Sequence, residues 1–252
     1  MASAHASVPA SVLAARRDAG GGLLLVSIEV APHVARSYTA PGQYIEVKTE
    51  LGDGYFVLAN DVGARPWQLL VKSSGGAADA LATLPVGSVL DIEGPLGSGF
   101  SVERMEERHV VVAVVASALG VARPVVRRRI EDGAAQATHL FVGLRSPTDL
   151  PIADEIESWM GQGVMVVLCL SRSELDHHAE LLPRARRVTG YVQHALARAL
   201  ESGDVPHGTL VIAAGPDELL ADMRSLAEAA RSAFGPGEAI LAGPSLEVLT
   251  NV

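Results

Sequence analysis

Residues His109–Asp132 read HVVVAVVASALGVARPVVRRRIED, and they set the architecture of the chain. Val110–Val115 is apolar at every position and mostly β-branched, the composition of a parallel strand covered on both faces. Val121–Asp132 then carries apolar and charged residues at helical spacing, so the pair reads as a strand running into a helix. The alternation continues with strand His139–Gly143, helix Asp149–Gln162, strand Val164–Leu170, helix Val192–Glu201, strand Thr209–Ala214 and helix Asp217–Phe234. A polar, Arg-rich stretch, Ser171–Arg187, interrupts it. Alternating strands and helices mark right-handed βαβ units in a doubly wound parallel sheet. Ligands of such sheets lie beyond the carboxyl ends of the strands, here just after Val115, Gly143, Leu170 and Ala214.

Upstream the pattern is different. Leu23–Val30, Gln43–Lys48, Tyr55–Asn60, Trp67–Lys72 and Val89–Glu93 are short apolar runs separated by turn residues such as Ala40-Pro41-Gly42 and Gly52-Asp53-Gly54. Only Ala77–Thr83 reads as helix. Closely spaced antiparallel strands predict a small β-barrel, which removes exposed sheet edges. The expected organisation is a flexible segment over residues 1–20, an antiparallel β-barrel over 21–104 and an α/β domain over 105–252. The Ala- and Ser-rich start, with Arg16 and Arg17 and no acid before Asp18, leaves two readings open: a transit-peptide remnant, or a loose lead-in to the first strand.

Composition excludes several function classes. The chain has 252 residues, 48% of them apolar, enough for a substantial core and too many for intrinsic disorder. No run approaches the roughly 20 apolar residues of a membrane span. A formal charge of −9 argues against general nucleic-acid binding. Arg127–Arg129 reads as the polar face of a helix, Cys169 as a buried strand residue, and Asp176-His177-His178 as a solvated cluster. No metal site is expected, and no Gly-x-Ser-x-Gly elbow points to a serine hydrolase.

The positions that follow the strands carry a recognisable text. Tyr38-Thr39-Ala40-Pro41-Gly42-Gln43-Tyr44, Leu70-Val71-Lys72 leading to Gly75-Gly76, and Gly94-Pro95-Leu96-Gly97-Ser98-Gly99-Phe100 lie in the first half. Gly143-Leu144-Arg145-Ser146-Pro147, Ser171-Arg172, Gly190-Tyr191-Val192 and Ala214-Gly215-Pro216 lie in the second. In order and spacing they resemble the ferredoxin–NADP(+) reductase-like family of flavin and nicotinamide oxidoreductases, most closely its plant plastid fruit-protein branch. The resemblance implies FAD on the barrel, NAD(P)H on the α/β domain, and hydride passing between them, with the cofactors supplying the redox chemistry. It also implies cofactor-binding roles for Phe56, Val57, Gly75, Gly76, Gly120, Arg145, Ser171, Arg172 and Gly215. Phe56 would stack on the flavin, the two glycines would contact its phosphates, and Arg145 and Arg172 would hold the nucleotide.

Both sites depart from the family pattern. Where the family has Arg-x-Tyr-Ser, this chain has Gly54, Tyr55, Phe56 and Val57, so the cation and the hydroxyl are missing. Arg65 reads either as a substitute for that cation or as a solvated loop residue. Ala77 and Ala78 replace phosphate-binding hydroxyls; Asp79 follows, and the turn reads equally as an anion site or as a plain helix start. In the nucleotide turn, Ala116–Pro124, only Gly120 remains of the family's glycines, Leu119 brings bulk, and Ala214 stands where a Cys is usual. Two functions therefore compete. One is a protein with degenerate sites serving as an accessory or structural subunit of a larger assembly, such as a plastid photosynthetic one. The other is an active FAD-dependent NAD(P)H oxidoreductase that passes electrons to a partner or small acceptor.

Overall fold

The computed structural model describes residues 8–172, 182–206, 208–233 and 245–250. The first half folds as β1 (Val8–Gly20), β2 (Leu23–Glu29), α1 (Pro32–Ala35), β3 (Tyr44–Thr49), β4 (Gly52–Val57), β5 (Trp67–Lys72), α2 (Gly76–Thr83) and β6 (Val89–Leu96). The strands pair antiparallel in the order β4-β3-β6-β1-β2-β5. A bridge between Leu58 and Leu69 and a 2.8 Å hydrogen bond from Ala59 N–H to the Gln68 carbonyl bring the two ends together as a barrel. Ile28, Ile45, Val47, Trp67, Leu69, Leu81 and Ile92 fill it, one face of each strand pointing inward.

Over Val8–Gly20 the chain forms β1, where a flexible segment is expected from the sequence. The strand pairs with β2 and, through Val8–Ser11, with β6. Its composition is a poor guide because the partner strands supply the pairing. The hairpin that returns to β2 uses Gly20, Gly21 and Gly22, all at positive φ, a run that interrupts any strand pattern in the sequence.

The second half contains β7 (Val110–Val115), α3 (Leu119–Glu131), β8 (Thr138–Leu144), α4 (Ala153–Gly161), β9 (Met165–Leu170), β10 (Arg186–Thr189), α5 (Val192–Glu201), β11 (Leu210–Gly215), α6 (Asp217–Ala233) and β12 (Ser245–Thr250). All six strands are parallel, in the order β10-β9-β8-β7-β11-β12. The chain winds outward from β7 to β10, then returns to β11 on the other side of β7. That reversal opens a crevice at the carboxyl ends. β10 and β12 are additions to the sequence reading: the first hides in the Arg-rich stretch, the second beyond the last expected helix. The Asp176–His178 cluster lies outside the described residues.

The two halves share one apolar cluster. Leu25, Leu70, Phe100 and Met105 pack with Val112, Leu119 and Val125. Arg123, on α3 and only 2% exposed, crosses the boundary. Its guanidinium donates to the Ala59 carbonyl (2.7 Å) and Gln68 Oε1 (3.0 Å) of the barrel and, bidentate, to Glu155 of α4 (3.0 Å for both bonds). Arg127 adds contacts to Glu155 (3.0 Å) and to Asp61 (3.3 Å). Burial pushes the Glu155 carboxyl up, yet the two arginines hold it below its ordinary range. Arg127–Arg129 do lie on a helix, α3, but not on one common exposed face. Arg128 alone sits on the surface, paired with Asp132, while Arg129 is buried against the Met105 and Arg108 carbonyls.

Candidate functional site

The barrel turn comes first. β5 ends at Lys72, and Ser73-Ser74-Gly75 leads into α2 with Gly75 at φ +99° and Gly76 at φ +55°, conformations that favour glycine. Turns of this kind present backbone N–H groups to an anion. Here the chain supplies the anion itself. The Asp79 carboxylate accepts hydrogen bonds from Ser73 Oγ (2.5 Å) and Gly75 N–H (3.1 Å), with Ser74 N–H contributing. These donors hold its carboxyl below the usual carboxylate range, the Ser73 hydroxyl first. Ala77 and Ala78 are buried and bring no hydroxyl to the surface. A phosphate placed on this turn would meet the Asp79 carboxylate beside the Ser73 and Gly75 donors.

The neighbouring strand departs from expectation as well. In the β3–β4 register Ile45 stands opposite Phe56 and Val47 opposite Gly54. Ile45 and Val47 are core residues, so Phe56 shares their inward face and packs against the barrel core. A Cβ on Gly54 would lie 2.8 Å from Ala77 Cβ and 3.0 Å from Phe56 Cε2, so glycine is required by close packing. The outward aromatic is Tyr55, 54% exposed, whose ring meets Tyr44 edge-on at 5.8 Å. Strict period-2 alternation through Ile45 and Val47 was the signal that separates the two. Val57 faces out of the barrel and packs, half-buried, on the cluster shared by the two halves. Arg65 pairs with Glu29 (3.3 Å) on the barrel surface.

The crevice at the carboxyl ends of the parallel strands is the second region. It is a cavity of about 530 Å³, within the size range of small-molecule sites. Beyond β8 and β9 the chains stay paired, with Ser171 N–H bonded to the Leu144 carbonyl and Arg172 N–H to that of Arg145, each at 3.0 Å. This pairing brings Arg145, Ser171 and Arg172 together on one wall. Lys72 joins them from the end of β5, so both halves contribute to the cavity. Three cations face two lining carboxylates, Asp149 and Glu218, and Arg145 lies 3.5 Å from Asp149. Val115, Val192 and Leu219 supply apolar walls. A Cβ on Gly143 would come within 2.8 Å of Val192 Cγ2, and one on Gly215 within 2.8 Å of Leu219 Cδ2. Gly215 therefore seats the wall, and a nucleotide would meet Leu219. Cys169 lines the cavity from a buried position, and burial pushes its thiol up to about 12.

Gly120 is not part of this cavity. β7 runs through a single 3-10 turn, Ala116–Ala118, directly into α3, whose start packs on the barrel. A Cβ on Gly120 would sit 3.5 Å from Ala59 Cβ and 3.6 Å from Leu70 Cβ, and Leu119 is fully buried in the shared cluster. Of the residues expected at the site, then, Arg145, Ser171 and Arg172 converge, with Gly215 beside them. Gly75 and Gly76 form a separate turn, Phe56 turns inward, and Val57 and Gly120 pack between the halves. Lys72 and Tyr191, which stand in the motifs Leu70-Val71-Lys72 and Gly190-Tyr191-Val192, also line the cavity, Lys72 reaching it from the barrel by tertiary placement. Among the described residues no group of three metal-ligating side chains forms. No helix among them is long and apolar enough to cross a membrane.

The arrangement matches solved flavoproteins in fold. The Amycolatopsis cytochrome P450 reductase GcoB superposes with a TM-score of 0.74 at 20% identity, over 97% of this chain and 70% of that one. The flavohaem-like FAD/NAD-binding domain of a nitric oxide dioxygenase from Vibrio cholerae gives 0.72 at 16% identity, over 97% and 99%. A ferredoxin NADP+ reductase from Neisseria gonorrhoeae, solved with bound FAD and NADP, gives 0.69 at 12%, over 96% and 98%. The chain therefore has the ferredoxin–NADP(+) reductase-like fold, a flavin-type barrel followed by a nucleotide-type α/β domain. In sequence it is 30% identical over 119 residues to the sulfhydrogenase 2 subunit gamma of Pyrococcus furiosus, covering 46% of this chain and 41% of that protein. It is 22% identical over 219 residues to the fruit protein pKIWI502 of Actinidia deliciosa, covering 81% and 66%. The matches thus span less than two thirds of either curated relative. No family model matches the chain.

Proposed function

We propose that this protein is an accessory subunit of a larger redox assembly, built on a reductase fold whose flavin-phosphate turn is closed by its own carboxylate. The Asp79 interaction carries the reading: Ser73 Oγ and the Gly75 N–H, two donors of the turn, already bond a carboxylate of the chain itself. The missing cation at Gly54, the inward Phe56 and the buried Leu119 support it. The P. furiosus relative, named as the gamma subunit of a sulfhydrogenase, supports the assembly part of the proposal.

The α/β crevice keeps the means to hold a nucleotide. Arg145, Arg172 and Lys72 would bind phosphate, and Val115, Val192 and Leu219 would flank the apolar part of the ligand. A nicotinamide dinucleotide there would supply hydride. That crevice and the exposed Tyr55, edge-on to the half-buried Tyr44, favour the second reading, an FAD-dependent NAD(P)H oxidoreductase. Purification from native extract separates the two. The accessory reading expects a colourless chain that co-fractionates with a larger assembly through a salt wash. A yellow, free-standing protein that reduces a dye with NAD(P)H overturns it.

A further inference from the structure

A second cavity, of about 540 Å³, opens at the other end of the parallel sheet, among the first residues of β8 and β9, the edge strand β10 and helix α5. Its walls are apolar: Phe141 and Val167 from the sheet, Ala195 and Ala199 from α5, and Val205 beyond it. His139 lines it and is only 4% exposed, yet neither ring nitrogen has a hydrogen-bond partner. Buried polar groups are nearly always paired, and an unpaired imidazole is an opening for a ligand's polar group. The other charges on the lining are unbalanced. Among the described residues, Arg184, Arg186 and Arg198 surround one carboxylate, Asp204, which Arg186 already binds at 2.7 Å.

We propose that this cavity binds a small amphipathic carboxylate, its hydrocarbon body against Phe141, Val167 and Ala199 and its headgroup among His139 and the rim arginines. An apolar interior with a few convergent polar groups is the usual form of a small-molecule site. The charge excess selects an anion, and the planar guanidinium forks suit a carboxylate. Burial first, then the neighbouring His109 ring 6.3 Å away, keeps the His139 imidazole below its ordinary range; Asp204 acts in the opposite sense. A neutral ring of this kind donates one hydrogen bond and accepts another. The site is on the opposite end of the sheet from the Arg145–Arg172 crevice, so it stands independently of the reading above.

Calorimetric titration of the full chain with octanoate, and with 1-octanol as the neutral control, tests this. Octanoate is expected to bind one per chain and at least about fivefold more tightly than octanol, the sense of a charge-assisted contact. Ala199→Phe fills the cavity and is expected to abolish binding while circular dichroism shows a folded chain. Should that variant not fold, Arg184→Gln, at an exposed rim position, decides the matter by weakening octanoate and leaving octanol unchanged. No binding, equal binding of the two probes, or a folded Ala199→Phe that binds as before overturns the proposal.

Discussion

The turn at Ser73–Asp79 and the crevice at Arg145–Arg172 both gather hydrogen-bond donors, and the donors are satisfied in different ways. In the turn, a carboxylate four residues past Gly75 folds back on the donors and satisfies them from within the chain. In the crevice, among the described residues, Lys72, Arg145 and Arg172 outnumber Asp149 and Glu218, and Arg145 lies 3.5 Å from Asp149. The contrast teaches that a glycine turn at a helix start is not by itself a phosphate site. What matters is whether the donors have been spoken for. Backbone geometry survives in both regions, and side-chain chemistry decides between them.

The largest predicted effect concerns what holds the two regions in one frame. Arg123→Met removes a nearly fully buried guanidinium and leaves the Ala59 carbonyl, Gln68 and Glu155 short of partners. Breaking one side of a buried pair costs about 3–5 kcal/mol, and the remaining Arg127 contact places this case near about 3 kcal/mol. Urea denaturation followed by tryptophan fluorescence reads it. An unchanged midpoint would mean that the halves are not joined there.

Next, the crevice. Replacing both Arg145 and Arg172 by Gln is expected to weaken NADPH binding by at least about tenfold, as one or two charge-assisted hydrogen bonds are lost. Quenching of the nicotinamide fluorescence measures it, and an unaltered affinity would place the nucleotide elsewhere or nowhere. The turn should respond in the opposite sense. Asp79→Asn removes the internal anion, so the thermal midpoint falls at neutral pH. Because the folded carboxyl lies below its unfolded value of about 3.9, its contribution is present above that value and fades as pH drops through the folded one. The wild-type and Asp79→Asn melting curves should therefore converge in acid. Curves that run parallel at every pH would contradict the bonding described for Asp79.

The smallest effect is a silence. Cys169 lines the crevice yet has its thiol pushed up to about 12 by burial, so a disulfide reagent at pH 8 should label it only after denaturation. Rapid labelling of the native chain would mean that the crevice is more open than its walls imply.

Much of this fold was legible because it rests on local periodicity. Trp67–Lys72, Val110–Val115 and Val192–Glu201 form as the pattern requires, and the other expected elements differ by a few residues at their ends. β1 and β10 were not legible. Neither shows a sustained apolar alternation, β1 being rich in Ala and Arg and β10 reading Arg-Arg-Val-Thr, and their strand character comes from the strands they pair with. The same limit governed the sites. Arg145, Ser171 and Arg172 follow strands that were read correctly, and they converge. The resemblance implies a flavin-stacking role for Phe56, whereas the pairing of β3 with β4 turns Phe56 toward the barrel core and Tyr55 outward. Gly120 looked like a surviving nucleotide glycine, but its role is set by the approach of Ala59 and Leu70, contacts that only the assembled halves create. Arg127 and Arg129 likewise became structural through partners distant in sequence.

Equilibrium dialysis of the purified chain against FAD, beside Asp79→Ser, tests the central claim most directly. A turn whose donors are already held by Asp79 predicts no stoichiometric flavin on the wild-type chain and measurable uptake only once the carboxylate is gone. One tightly held FAD per wild-type chain, with Asp79 in place, would contradict the account.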